Sequence, residues 1–154
     1  MARRVFFSFH FERDIWRTNQ VRNANVVNGV DRAGFFDHSE YEEAKKKSDK
    51  EIDKMIRDRL AGTSVTIVLI GQETASRPWV TREIALSVAQ KNGFIGVRIH
   101  HLGNKDEQTD LIGAIPTTSA GVEFPIFSWD GKVDWFAKAI EAAGKRAEAW
   151  RAQR

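Results

Sequence analysis

Glu83 follows Trp79 by four positions in the segment Ser76-Arg77-Pro78-Trp79-Val80-Thr81-Arg82-Glu83-Ile84. On a helix that spacing stands an aromatic plate and a carboxylate one above the other. The ring can stack on a base, and the carboxylate can bond ribose hydroxyls and stabilise positive charge developing on a sugar, so the pair suits a nucleoside-type ligand. An exposed Glu beside a core Trp has the same spacing, and on these residues alone both readings stay open. Ser8, Phe9 and His10 offer a hydroxyl, a ring and backbone N–H groups for phosphates and a base. Phe9 in the core and His10 capping a loop is the plainer account of the same residues. The planar fork of Arg77 suits a pyrophosphate or a surface salt bridge. Phe36 and Asp37 stand in a stretch that could close over a ligand.

Metal and thiol chemistry find little support. The four histidines, His10, His38, His100 and His101, fit no zinc spacing, and there is no cysteine, so no metal is expected. The fifth-strand and last-helix tryptophans, Trp129 and Trp135, read as packing residues, and Trp150 as an exposed one near the end of the chain.

Positioning these residues requires a sheet. Arg4 to Phe9 reads as a first strand, and Glu12 to Asn23, with Ile15, Trp16 and Val21, as a helix. Val26-Val27 predicts a short second strand, followed by a long loop from Asn28 to about Tyr41. Ile52, Met55, Ile56 and Leu60 recur at helical spacing within Glu43 to Leu60, and Gly62 stands where a C-cap glycine belongs. Val65 to Ile70 is a continuous β-branched run, suited to a strand covered on both faces. Ser76 then predicts a helix N-cap with Pro78 in the first turn, the helix running to Asn92-Gly93. Further strands are expected at Phe94 to His100 and Pro125 to Trp129. Between them lies a polar stretch, Gly103 to Gly121, with one helical turn near Asp110 to Ala114. A last helix follows, with Val133, Phe136, Ile140 and Ala143 on its apolar face.

Strands alternating with helices predict an α/β fold, a flavodoxin-like parallel five-stranded sheet of order 2-1-3-4-5 with helices on both faces. Ligands in such sheets bind beyond the strand C-termini at the switch point, here between Ser8 to Arg13 and Gly71 to Glu83. The 154 residues fit a single domain, 1-154. Twenty-four Lys+Arg against 21 Asp+Glu, interspersed, give a net charge of +3, which predicts no specific nucleic-acid partner. Lys45-Lys46-Lys47 beside Glu42, Glu43, Asp49 and Glu51 reads as a solvated helix face. His10, Glu12, Arg13 and Asp14 interrupt any leader-like run, and no run of about twenty apolar residues suggests a membrane span. A cytoplasmic protein is the expectation.

A family resemblance narrows the function. Trp79 to Ile84, following Thr63 to Gly71, resembles the catalytic-glutamate helix of TIR domains that consume NAD⁺. Arg4-Val5-Phe6-Phe7-Ser8-Phe9-His10, Trp16, Val21-Arg22-Asn23, Gly34-Phe35-Phe36-Asp37, Thr63-Ser64-Val65-Thr66 and Ser76-Arg77-Pro78-Trp79-Val80 resemble, more narrowly, the TIR-like ThsB family of the Thoeris antiphage systems. The match covers the first hundred residues well and the last fifty by topology. The resemblance implies cleavage of NAD⁺ into nicotinamide and a cyclic or otherwise altered ADP-ribose that signals to a separate effector. It implies Glu83 as the catalytic carboxylate, with Ser8, Phe9, His10, Phe36, Asp37, Arg77 and Trp79 around the substrate. No cofactor is implied, NAD⁺ being the substrate, and a phage-derived component or a change of homo-oligomer is expected to switch the protein on. One carboxylate suffices, because nicotinamide departs as a neutral ring from a cationic one and needs no proton, unlike an ordinary glycoside.

Receiver-domain, flavodoxin and Walker-type readings fail at Phe9-His10-Phe11-Glu12 and Gly71, which lack the acidic residues or the phosphate loop those proteins need. Two alternatives remain open: a nucleoside deoxyribosyltransferase-like enzyme acting on another N-glycoside, and a non-catalytic TIR-like interaction module.

Overall fold

The computed structural model describes residues 3–23, 31–34 and 38–153. In order, its elements are β1 (Arg4–Ser8), α1 (Phe11–Arg22), β2 (Asp31–Gly34), α2 (His38–Ala44), α3 (Asp49–Leu60), β3 (Val65–Ile70), a 3-10 turn (Thr74–Ser76), α4 (Pro78–Ala89), β4 (Gly93–Arg98), β5 (Ile126–Ser128) and α5 (Asp134–Ala152). The strands lie in the order β2-β1-β3-β4-β5, and every neighbouring pair is parallel. The α/β class with a parallel sheet is therefore as the sequence predicts.

Alternation along the strands divides the core into two faces. Val5, Phe7, Val65, Ile67, Leu69, Ile95 and Val97 point to one side, where they pack with Val21 of α1 and with Phe136, Ala139, Ile140 and Ala143 of α5. Phe6 points to the other side with Ile52, Ile56 and Leu60 of α3, as do Val68, Ile70 and Phe94 with Val80 and Ile84 of α4. The run Val65–Ile70 is buried at every position, so the hydrophobic effect specifies a central strand from either side.

Several boundaries differ from the sequence reading. The strand expected at Val26-Val27 falls outside the described residues, and β2 forms at Asp31–Gly34, inside the stretch read as loop. The helix expected from Glu43 to Leu60 starts only at Asp49, and a separate α2, His38–Ala44, takes the end of the stretch read as loop together with Glu43-Ala44. Ser48 starts α3 with a capping box, its hydroxyl accepting from the Glu51 N–H while the Glu51 side chain accepts from the Ser48 N–H. Lys45-Lys46-Lys47 consequently lies in the turn between them rather than on a helix face, with Lys45 paired to Glu12 and Glu42. Ser76 ends the 3-10 turn and donates to the Glu73 carbonyl, so Arg77 occupies the cap position of α4 without a side-chain cap. No helical turn forms at Asp110 to Ala114. Val133 is exposed and precedes α5.

Two glycines carry different duties. Gly62 has φ +81 just past α3, the left-handed position a C-cap glycine serves. At Gly93, read from sequence as the stop of α4, the left-handed residue is instead Lys91 at φ 62. A Cβ on Gly93 would stand 1.9 Å from the Ala143 carbonyl oxygen, so this glycine admits α5 against β4. Gly93→Ala must push main chain apart and is expected to cost at least about 1–3 kcal/mol, read as a Tm several degrees lower by circular dichroism.

Candidate active site

Glu83 sits in the middle of α4, and α4 starts where Pro78, with no N–H to lose, fits the first turn. The carboxyl turns inward to the C-terminal end of β1 and is 3% exposed. There the Ser8 hydroxyl donates to Oε1 at 2.7 Å, and the Trp79 indole Nε1 donates to Oε2 at 3.1 Å. Burial pushes the Glu83 carboxyl up to about 8, and the two donated hydrogen bonds oppose that rise without cancelling it. Charged neighbours are directed elsewhere: Arg82 pairs with Asp49 and Asp53 of α3.

The structure brings Ser8, Trp79 and Glu83 together and distributes the other predicted residues around them. Trp79 is half-buried, packing on the cluster formed by Phe6, Ile52, Ile56 and Leu60 while its N–H holds the carboxyl. Phe9 belongs to the core on the opposite face of the sheet, its ring 5.9 Å from that of Phe11. His10 follows β1 and is buried, with Nδ1 lacking a hydrogen-bond partner. Burial, reinforced by the nearby Arg77 charge, lowers its pKa and keeps the ring neutral at pH 7. Arg77 stands half-buried at the cap of α4. Phe36 and Asp37 lie outside the described residues. Among the described residues no group of three His, Cys, Asp or Glu could hold a metal, and no helix is long and apolar enough to cross a membrane.

A second buried constellation escaped the sequence reading. Asp14 and Arg17, one helical turn apart on α1, are fully or almost fully buried, and Arg17 Nη1 donates to Asp14 Oδ1 at 2.9 Å. Arg17 also donates to the carbonyls of Leu102 and Gln108 at 2.8 and 2.9 Å and lies 3.0 Å from Asp110. Arg13 forks onto both oxygens of Asp110 and reaches Glu73. These bonds clasp the segment after β4 to α1, while Leu111 N–H donates to Gln72 beside the end of β3. The clasp leaves no room at Gly71, where a Cβ would stand 2.2 Å from Asp14 Oδ2. The i,i+3 charge pair in α1 was visible in sequence, but nothing in its spacing says that it is buried.

Cavity volume and chemistry do not coincide. A cavity of about 380 Å³ lined by Phe94, Val122, Arg146 and Trp150 lies at the N-terminal end of β4, away from Glu83. The convergence of buried polar groups at the end of β1 is the better guide, because burying them costs energy that packing alone would avoid.

A parallel α/β sheet with a dry carboxyl at the switch point defines a class of protein, and residues 6–104, which run from within β1 to past β4 and contain Glu83, match the family described as "Thoeris protein ThsB, TIR-like domain". The chain belongs to that family. A relative from Bacillus cereus (strain MSX-D12), named "Putative cyclic ADP-D-ribose synthase ThsB1", is 42% identical over 134 residues, which span 86% of this chain and 68% of that protein.

Two outcomes follow from the buried groups. Since the folded Glu83 carboxyl titrates near 8 and the unfolded one near 4.5, the folded state binds the extra proton between those values, and stability falls as pH rises from about 4.5 through 8. Glu83→Gln should flatten that part of the pH dependence of urea unfolding and be more stable than the parent at pH 8. Arg17→Met, by stranding Asp14 in the interior, should cost about 3–5 kcal/mol and raise amide exchange across Leu102 to Leu111.

Proposed function

We propose that this protein cleaves the N-glycosidic bond of NAD⁺, with Glu83 as the catalytic carboxylate, releasing nicotinamide and forming a cyclic or altered ADP-ribose. The observation that carries the reading is the buried Glu83 carboxyl held by Ser8 and Trp79 at the end of β1, supported by the ADP-ribose chemistry in the name of the Bacillus cereus relative. The C1′–N bond breaks with its electron pair moving to the pyridinium nitrogen, so nicotinamide leaves neutral. Positive charge passes to C1′ and the ring oxygen, where a carboxylate in a dry site stabilises it far better than water would. Water or a nitrogen of the adenine ring then adds at C1′; a water acceptor releases one proton to solvent.

The proton carried by the resting site fits this sequence of events. With its carboxyl pushed up to about 8, Glu83 is mostly neutral at pH 7 in the empty site. The cationic nicotinamide ring, brought near it, favours the ionised form. On this reading the half-buried Trp79 indole turns away from Oε2 as substrate enters, exchanging its hydrogen bond for a stacking surface and leaving Oε2 to the ribose. Arg77 and His10 border the same end of the sheet and serve the pyrophosphate and its surroundings. A cytoplasmic location, an effector reached through the small-molecule product and activation by a phage component or by homo-oligomerisation complete the proposal.

Nicotinamide release in lysate of expressing cells, with and without phage infection, tests the reading, with small products resolved by mass spectrometry. Glu83→Gln is expected to lower turnover at least about 10²–10³-fold while folding normally. Below pH 8, kcat/KM of the active protein should fall about tenfold per pH unit. Base exchange between nucleosides without NAD⁺ cleavage would favour the deoxyribosyltransferase-like alternative, and no nicotinamide release by the folded parent protein with or without infection, its assembly unchanged by Glu83→Gln, would favour the interaction module.

A further inference from the structure

Ser8 was assigned above, on sequence grounds, to the substrate's phosphates, and its environment gives it a different task. The side chain is 0% exposed, in register with Val68 of the central strand, and its hydroxyl spends its one proton on Glu83 Oε1 at 2.7 Å. A group so placed has neither the exposure nor a free donor for a phosphate. It does have control over one carboxylate oxygen, and that control persists when Trp79 releases the other.

We propose that Ser8 is a positioning residue for Glu83: its hydroxyl fixes the carboxylate's orientation through Oε1 and favours the ionised form when a substrate occupies Oε2. The assignment rests on the reading of Glu83 as the catalytic carboxylate, and the geometry explains why the strand ends in a serine. An alanine at this position would leave Oε1 buried with no donor, since the residues on this face of β1 and β3 are Phe6, Thr66, Val68 and Ile70. Thr66 is committed to Ser87 and Asn92.

The groups that set the titration of this carboxyl can be named. Burial raises it, and the Ser8 and Trp79 donors lower it. On α3 the facing charges Asp49 and Asp53 are paired with Arg82 of α4. Arg77 acts on His10 at the start of α1, together with Glu73, Glu12 and Arg13. In the empty site, neutral donors and not a counter-ion are therefore what favour the charged form of Glu83 against burial.

The test follows Glu83 by ¹³C NMR in protein labelled at the Glu carboxyl carbon, its signal identified by loss in Glu83→Gln, beside pH profiles of nicotinamide release. Ser8→Ala is expected to move the Glu83 titration upward by about one pH unit or more. Its kcat/KM at pH 7 should fall about tenfold or more with KM changed less than about threefold, and recover toward the parent value as pH rises. Ser8→Cys, close in size with a weaker donor, should shift less than Ser8→Ala, and it carries the test if Ser8→Ala does not fold. An unmoved Glu83 titration, or a raised KM with the pH profile unchanged, would overturn the assignment. Because the NMR titration needs no turnover, a shifted titration in a protein that does not cleave NAD⁺ would uphold the Ser8–Glu83 coupling and sink the proposed reaction instead.

Discussion

Ser8 pairs with Val68 in parallel register, and through the alternation of strand side chains that pairing sends Val5 and Phe7 to the α1 and α5 side and Phe6 and Ser8 to the α3 and α4 side. A slip of one residue would exchange the faces. It would press Ser8 into an apolar cluster and set an aromatic ring where the Glu83 carboxyl now lies. Burial of the aromatic residues thus holds the register, and the placement of a hydroxyl 2.7 Å from a carboxyl is inherited from it. The candidate site is as precise as the core because it is the last polar step of a core strand.

Each face of the sheet buries a carboxyl, and the two are held by different means. Asp14 has a guanidinium at 2.9 Å, itself tied to two carbonyls and a second carboxylate. Arginine keeps its charge and opposes the rise that burial imposes on the Asp14 carboxyl, and the network acts as a fastening between α1 and the segment after β4. Glu83 has only a hydroxyl and an indole N–H. Its charge state is left sensitive to whatever cation enters the site, which is a useful property for a group meant to meet a pyridinium ring and a poor one for a structural contact.

Hydrophobic pattern made most of the fold legible. The buried run Val65–Ile70 and the helical spacing of Ile52, Ile56 and Leu60 could hardly fold otherwise, and Gly62 marked a real left-handed cap. What pattern could not resolve was local chemistry that competes with it: the Ser48 capping box starts α3 at Asp49, past the expected start at Glu43, and β2 forms from Asp31-Arg32-Ala33-Gly34, a sequence with little strand propensity, because β1 offers it an edge. At the site, the i,i+4 relation of Trp79 and Glu83 was readable, while the direction of each side chain was not. Sequence spacing offered Trp79 as a free plate and Ser8 as a ligand group; tertiary packing turned both toward the carboxyl. The Arg17 clasp was illegible for a related reason, since its acceptors Leu102 and Gln108 are main-chain carbonyls that no side-chain pattern reports.

Trp79 is half-buried, packed on the cluster of Phe6 and the α3 residues Ile52, Ile56 and Leu60, and bonded to Oε2. On the proposed reading, turning outward gives up a partly buried aromatic surface and one hydrogen bond, a cost of about 1–3 kcal/mol in total. Water can replace the hydrogen bond but not the aromatic contact, whereas a flat ring offsets the latter through stacking on the indole. A flat, cationic ligand would therefore open the site, occupy the face of the opened indole and present charge to the carboxyl in one event. A tryptophan suits this position better than a phenylalanine, because only the indole closes the empty site with a hydrogen bond and still supplies a plate to the occupied one.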